Sequence, residues 1–76
     1  MKNVHSEVYK NLKLNICYTR KMQGLSQIQL AEKVGINRAY MSRIEAVNSD
    51  TVPSLAVIFD LANALDVSLD KLFDFD

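Results

Sequence analysis

Three times along this chain an apolar residue, a serine or asparagine, and a second apolar residue four places further on follow one another: Leu25, Ser26 and Leu30; Ile36, Asn37 and Met41; Val67, Ser68 and Leu72. A side-chain oxygen at the middle position accepts from amides that a first helical turn leaves unpaired, while the apolar pair clasps across that turn. Each triplet therefore marks a helix start. Ser26 and Gln29 add capping-box spacing. With Ser6 and Ser54 as two further openings, the chain divides into five helical pieces. The first runs from about Ser6 to Met22, with Val8, Leu12, Ile16 and Thr19 as one buried stripe, and stops before Gly24. The second starts at Ser26 and ends at Gly35. Asn37 opens the third, to about Glu45. Ser54, after Pro53, opens the fourth, with Leu55, Ile58, Leu61, Ala62 and Leu65 on one face. Ser68 opens a short fifth piece through about Phe73. No alternating β pattern, internal repeat or low-complexity tract competes, so the expected fold class is all-α.

A chain of 76 residues that is 49% hydrophobic, with two glycines and one proline, has room for one compact core and is not disordered. A single domain over 1–76 is expected, with residues 1–5 as a short N-terminal arm. One cysteine forms no internal disulfide, the N-terminus has no signal-peptide apolar run, and no stretch approaches membrane-spanning length. These features predict a cytoplasmic protein with no membrane association. The formal net charge of zero conceals an asymmetry. Up to Glu45 there are eight cations against three carboxylates; beyond it Lys71 stands against six aspartates. A basic half joined to an acidic half suggests one face turned to a polyanion and the other turned away.

The second and third pieces are each under about three turns and are joined only by Val34, Gly35 and Ile36, so they must pack on one another to be stable. Gly35 makes a positive φ cheap, Ala31 admits a close helix, and Met41 and Ile44 face the same core. That is helix-turn-helix spacing, over about 26–45.

The run Gln27, Ala31, Gly35, Met41, Ile44 resembles the helix-turn-helix of the phage Cro and lambda-repressor type, the XRE family. The match covers roughly Leu12 to Phe73. Tyr40 within RAYMSRIE is also similar to the small controller proteins of restriction-modification systems. The resemblance implies a compact five-helix lambda-repressor-like DNA-binding domain whose third helix enters the major groove. Carried over position by position, it makes Asn37, Arg38, Ala39, Ser42 and Arg43 the base-reading residues. Arg38 and Arg43 are the principal readers, since an arginine fork can pair with guanine O6 and N7. Gln27 and Tyr40 resemble the family's phosphate-positioning residues. Arg20 and Glu45 resemble a structural ion pair tying the first helix to the end of the third.

The pattern breaks after Glu45, where AVNSDTV replaces a shorter loop with glycine and basic residues, and puts Asp50 where the family has positive charge. Asp66 replaces a frequent helix-ending glycine; Asp tolerates the left-handed conformation. Leu14, Cys17, Tyr18 and Met22 form an apolar face on the first helix, expected either to lie under Phe73 and Phe75 or to meet a partner. Cys17 is read as a packing residue. One Cys and one His, His5, make an incomplete metal set, and no phosphate loop or hydrolytic triad is visible. Neither a metal, a cofactor nor an enzymatic reaction is expected.

The sequence thus points to a transcriptional regulator binding double-stranded DNA as a homodimer on a pseudo-palindromic operator. The dimer contact is placed on exposed parts of Leu69, Lys71, Phe73 and Phe75, because the helices before them are committed to core or DNA. The rival is a protein-interaction module of antitoxin type, gripping a protein partner through the apolar first-helix face or the acidic half, with DNA contact secondary.

Overall fold

The computed structural model describes residues 5–74. Its elements are α1 (Ser6–Met22), α2 (Gln27–Val34), α3 (Arg38–Glu45), α4 (Leu55–Leu65) and α5 (Leu69–Leu72), with no strand among the described residues. Four of the five starts are capped as expected. Ser26 Oγ accepts from the Gln29 amide while the Gln29 side chain accepts from the Ser26 amide, closing the capping box in both directions. Asn37, Ser54 and Ser68 accept from the amides of Tyr40, Val57 and Lys71. Ser6 departs from the expectation: it is the first helical residue, and His5 at the cap position makes no side-chain capping bond.

Three junctions share one device. Gly24, Gly35 and Asp66 take positive φ of 73°, 76° and 56°. The amide of the next residue then returns to a carbonyl of the preceding helix, Leu25 to Arg20, Ile36 to Ala31 and Val67 to Ala62, at 3.0–3.1 Å. This is the Schellman closure. It turns Leu25, Ile36 and Val67 into the core, and the next N-cap follows at once. Left-handed residue, apolar residue and cap are therefore consecutive, which is why such short helices connect without long loops.

The core is drawn from all five helices: Leu12 and Ile16, Leu30 and Ala31, Met41 and Ile44, Ile58, Leu61, Ala62 and Leu65, and Leu72. Two expectations need correction. Val8 is only half-buried, and Leu55 is 64% exposed. Helix side chains lean toward the N-terminus, so Leu55, the first residue of α4, projects past the helix end, away from the layer that buries Ile58. Of the apolar face of α1, Leu14, Tyr18 and Met22 are exposed and Cys17 is half-buried, while Phe73 packs against the core. Phe75 lies outside the described residues.

Helix ends leave carbonyls without intrahelical donors, and α1 supplies donors for three other helices. Lys13 Nζ donates to the Arg43 and Ile44 carbonyls at the end of α3, at 2.9 and 3.2 Å, and to the Thr51 carbonyl in the loop beyond. Gln23, capping α1, donates to the Leu65 carbonyl that ends α4, at 2.6 Å. Asn15 donates to the Leu72 and Asp74 carbonyls at and after the end of α5, at 2.9 and 2.8 Å. The long first helix is thus both an apolar wall and a row of polar anchors. No buried side-chain polar atom among the described residues is left unpaired.

Candidate nucleic-acid interface

One side of α3 belongs to the interior. Met41 and Ile44 are fully buried, Glu45 is 8% exposed, and Tyr40 is half-buried against the core. The opposite side is open: Asn37, Arg38, Ala39, Ser42 and Arg43 are all exposed. Arg38 and Ser42, and Ala39 and Arg43, stand four residues apart and so lie one above the other along that side. The side presents two guanidinium forks, one hydroxyl and one methyl, a set suited to base edges in a major groove. Asn37 does a second job, since its Oδ1 accepts from the Tyr40 amide at 2.7 Å. Its amide hydrogens are the part that remains to donate outward.

A buried polar knot holds α3 from behind. Arg20 Nε donates to Glu45 Oε2 at 2.7 Å and Arg20 Nη2 to Glu45 Oε1 at 2.9 Å. The pair's side chains are 8% and 3% exposed. Arg20 Nη1 also donates to the Leu25 carbonyl in the turn before α2, at 2.7 Å, and Nη2 touches Cys17 Sγ at 3.8 Å. Gln27 Nε2 completes the set by donating to Glu45 Oε1 at 3.0 Å. Burial pushes the Glu45 carboxyl up, but the Arg20 and Gln27 hydrogen bonds and the guanidinium charge together outweigh it and hold the group below the ordinary carboxylate range. Its hydrogen bond to Glu45 raises the Arg20 pKa further against the opposing effect of burial. Both groups are charged at neutral pH. The start of α2 and the end of α3 are therefore bolted to α1 at one point.

Gln27 accordingly turns part of its side chain inward, a contact that its expected phosphate role does not include. Its side-chain amide donates to Glu45, and the backbone amides of the α2 first turn lie beside it. Tyr40 keeps its ring partly on the core.

The surface charge of the first half is smaller than the sequence suggests, because Lys13, Arg20 and Glu45 are internal. Among the described residues up to Glu45, five exposed cations (Lys10, Lys21, Lys33, Arg38, Arg43) face two exposed carboxylates, Glu7 and Glu32. The sign of the excess persists. The loop after α3 is held by Ser49 N–H to the Ala46 carbonyl and Thr51 N–H to Ser49 Oγ, both at 3.0 Å, and leaves Asp50 exposed. Burial pushes the Lys13 ammonium down, partly offset by the Asp50 charge.

The residues expected at a dimer contact divide. Lys71 is exposed, Leu69 and Phe73 are half-buried against the core, and Phe75 lies outside the described residues. Lys13, Asn15 and Gln23 carry no local pattern that could have found them, since each meets a carbonyl 30 or more residues away. Among the described residues no group of three or more His, Cys, Asp and Glu could hold a metal ion, and no helix is long and apolar enough to cross a membrane.

Three comparisons with known proteins agree with this geometry. The family profile described as "Helix-turn-helix" matches residues 18–72. The HTH-type transcriptional regulator SinR of Bacillus subtilis (strain 168) is 42% identical over 55 residues, which are 72% of this chain and 49% of that protein. A crystal structure of SinR, the master regulator for biofilm formation, in complex with DNA superposes with a TM-score of 0.74 at 38% identity, over 83% of this chain and 98% of that one. The restriction-modification controller protein C.AhdI from Aeromonas hydrophila gives a TM-score of 0.73 at 33% identity, over 83% of this chain and 92% of its own. The chain spans about half the length of the curated relatives it matches.

Proposed function

This chain belongs to the helix-turn-helix family, and on that premise we propose that it is a sequence-specific DNA-binding transcriptional regulator, acting in the cytoplasm as a homodimer on a pseudo-palindromic operator. The observation that carries the reading is the two-sidedness of α3. Its inner side is locked by Met41, Ile44 and the Arg20, Glu45, Gln27 knot, while its outer side offers Arg38 and Arg43 to solvent. A helix mounted in this way presents its two arginines from a fixed backbone, and a fixed mount is what base discrimination requires. The relatives support it: one is a transcriptional regulator and its structure was determined in complex with DNA. Residues 1–76 act as one DNA-binding unit, with the helix-turn-helix at about 26–45. Occluding a promoter or recruiting polymerase is its mechanism, without a reaction, metal or cofactor of its own.

One reading helix spans only a few base pairs, so discrimination requires two copies with half-site centres about 34 Å apart. Lys71 and the exposed parts of Leu69 and Phe73, together with Phe75, are the proposed contact. A protein-interaction module is the weaker reading, because it gives the exposed α3 arginines no task.

Binding to a panel of base-substituted operators, selected first from a random DNA pool, tests the proposal. Arg38→Ala and Arg43→Ala should each cost about 1–3 kcal/mol on the best operator and relax one base position per half-site. Gln27→Ala, checked to be folded, should weaken specific and random DNA alike. Equal losses on specific and random DNA for both arginine variants would refute base reading.

A further inference from the structure

We propose that Lys13 is a positioning residue for DNA readout: its ammonium fixes the end of α3 that carries Arg43. The inference rests on the reading of Arg43 as a base reader. Lys13 is 3% exposed, and its three ammonium hydrogens are matched by the carbonyls of Arg43, Ile44 and Thr51. One acceptor is thus the main chain of the reading residue itself, at 2.9 Å.

The end of α3 has special need of such a contact. Helices α1, α2 and α4 each close through a left-handed residue and a returning amide. The cap of α3 is Ala46, in extended geometry at φ −78° and ψ 114°, and its amide returns only to Ser42. The last carbonyls of α3 therefore lack the donors that the other helix ends obtain from their own backbone. Lys13 supplies those donors from α1, together with a positive charge at the negative end of the helix dipole. A helix of two turns does not hold its last turn in place unaided. The Thr51 bond extends the hold into the loop that would otherwise pull on that turn. Arg38, at the other end of α3, follows the Asn37 cap and is not among the residues that Lys13 hydrogen-bonds.

The two ends of the reading helix are thus held by different devices, and the test separates them. Lys13→Met is compared with wild type on the operator panel, at a temperature where circular dichroism shows it fully folded. The expected result is a loss of base discrimination of about fivefold at the position read by Arg43, with the position read by Arg38 unchanged; Arg43→Ala sets the full scale there, about 5- to 150-fold. A general loss of stability would weaken both positions equally. Lys13→Gln, which is one bond shorter but keeps one donor group, repeats the measurement should Lys13→Met not fold, with a smaller selective loss expected. An unchanged profile, or an even loss at both positions, overturns the proposal. If Arg43→Ala itself leaves every base preference intact, the base-reading assignment fails instead, and the two failures are told apart.

Discussion

Replacing Glu45 by alanine should be among the most damaging single changes in the chain. The Arg20 guanidinium would lose two charge-assisted bonds of 2.7 and 2.9 Å and keep only the Leu25 carbonyl and the Cys17 sulfur, while Gln27 would lose its 3.0 Å acceptor. Arg20 is 7% exposed, so water cannot replace the missing carboxylate without the helices parting. Breaking a buried pair on one side costs about 3–5 kcal/mol. A domain of this length holds about 4–11 kcal/mol in total, so the variant should sit at the edge of folding. Urea denaturation at pH 7, with the midpoint and slope both fitted, reads the loss directly. Removing both charges together, as Arg20→Met with Glu45→Leu, should recover most of it, because an apolar pair of similar volume needs no desolvation of ions. The acid side follows from the same group. The folded carboxyl titrates below its ordinary value, so its contribution is complete above the unfolded pKa and is lost as pH falls through the folded one. Wild-type stability should therefore fall on acidification below the ordinary carboxylate range, and the double variant should lack that part of the fall. A Glu45→Ala loss under about 1 kcal/mol, as an exposed pair would give, would refute the assignment of this knot as the mount of α3.

Two shorter predictions use other parts of the fold. Asp66 holds a left-handed φ of 56° that glycine adopts without a Cβ penalty, so Asp66→Gly should raise stability by about 0.5–1 kcal/mol in thermal unfolding; a loss would show that the aspartate side chain serves that turn. Sedimentation at micromolar concentration, with and without operator, should show a dimer that Phe75→Ala weakens; a monomer under every condition would rule out the two-copy arrangement.

The elements of this fold are legible in the sequence because the signals that set them are local. Caps at Ser26, Asn37, Ser54 and Ser68, and the left-handed positions at Gly24, Gly35 and Asp66, each involve residues within about five places of one another. The exposed side of α3 follows from helical spacing once Met41 and Ile44 are assigned inward. What stays hidden is long-range and polar. Lys13 reads as one more surface cation, and nothing beside it in the sequence signals three carbonyls 30 to 38 residues away. Leu55 fits the apolar period of α4, yet lies beyond the layer that buries the rest, because periodicity fixes a face and not how far along the helix its cover reaches. The inward bond of Gln27 is hidden for a related reason: a residue's place in a motif does not say how its donors are shared between protein and ligand.

The loop after α3 joins these two scales, and Asp50→Lys tests both. Asp50 is exposed, and its charge acts favourably on the buried Lys13 ammonium. If the loop lies beside the phosphate backbone, replacing the carboxylate by an ammonium removes a repulsion and adds an attraction, for specific and random DNA alike. The salt dependence should then steepen by about 0.9 in log–log slope for each additional phosphate neutralised. The same substitution replaces a favourable charge near the Lys13 ammonium by a like one, which should lower stability by up to about 1 kcal/mol, the range of a solvent-screened pair. Asp50→Asn separates the effects, since it removes the favourable charge on Lys13 and the repulsion of DNA while adding no cation. Denaturation and binding are therefore measured on both variants. Stability should fall in the order wild type, Asp50→Asn, Asp50→Lys, while nonspecific affinity rises in that order. If affinity and salt slope stay at the wild-type values in both variants while stability falls, the loop faces away from DNA, and Asp50 serves only the charge of Lys13.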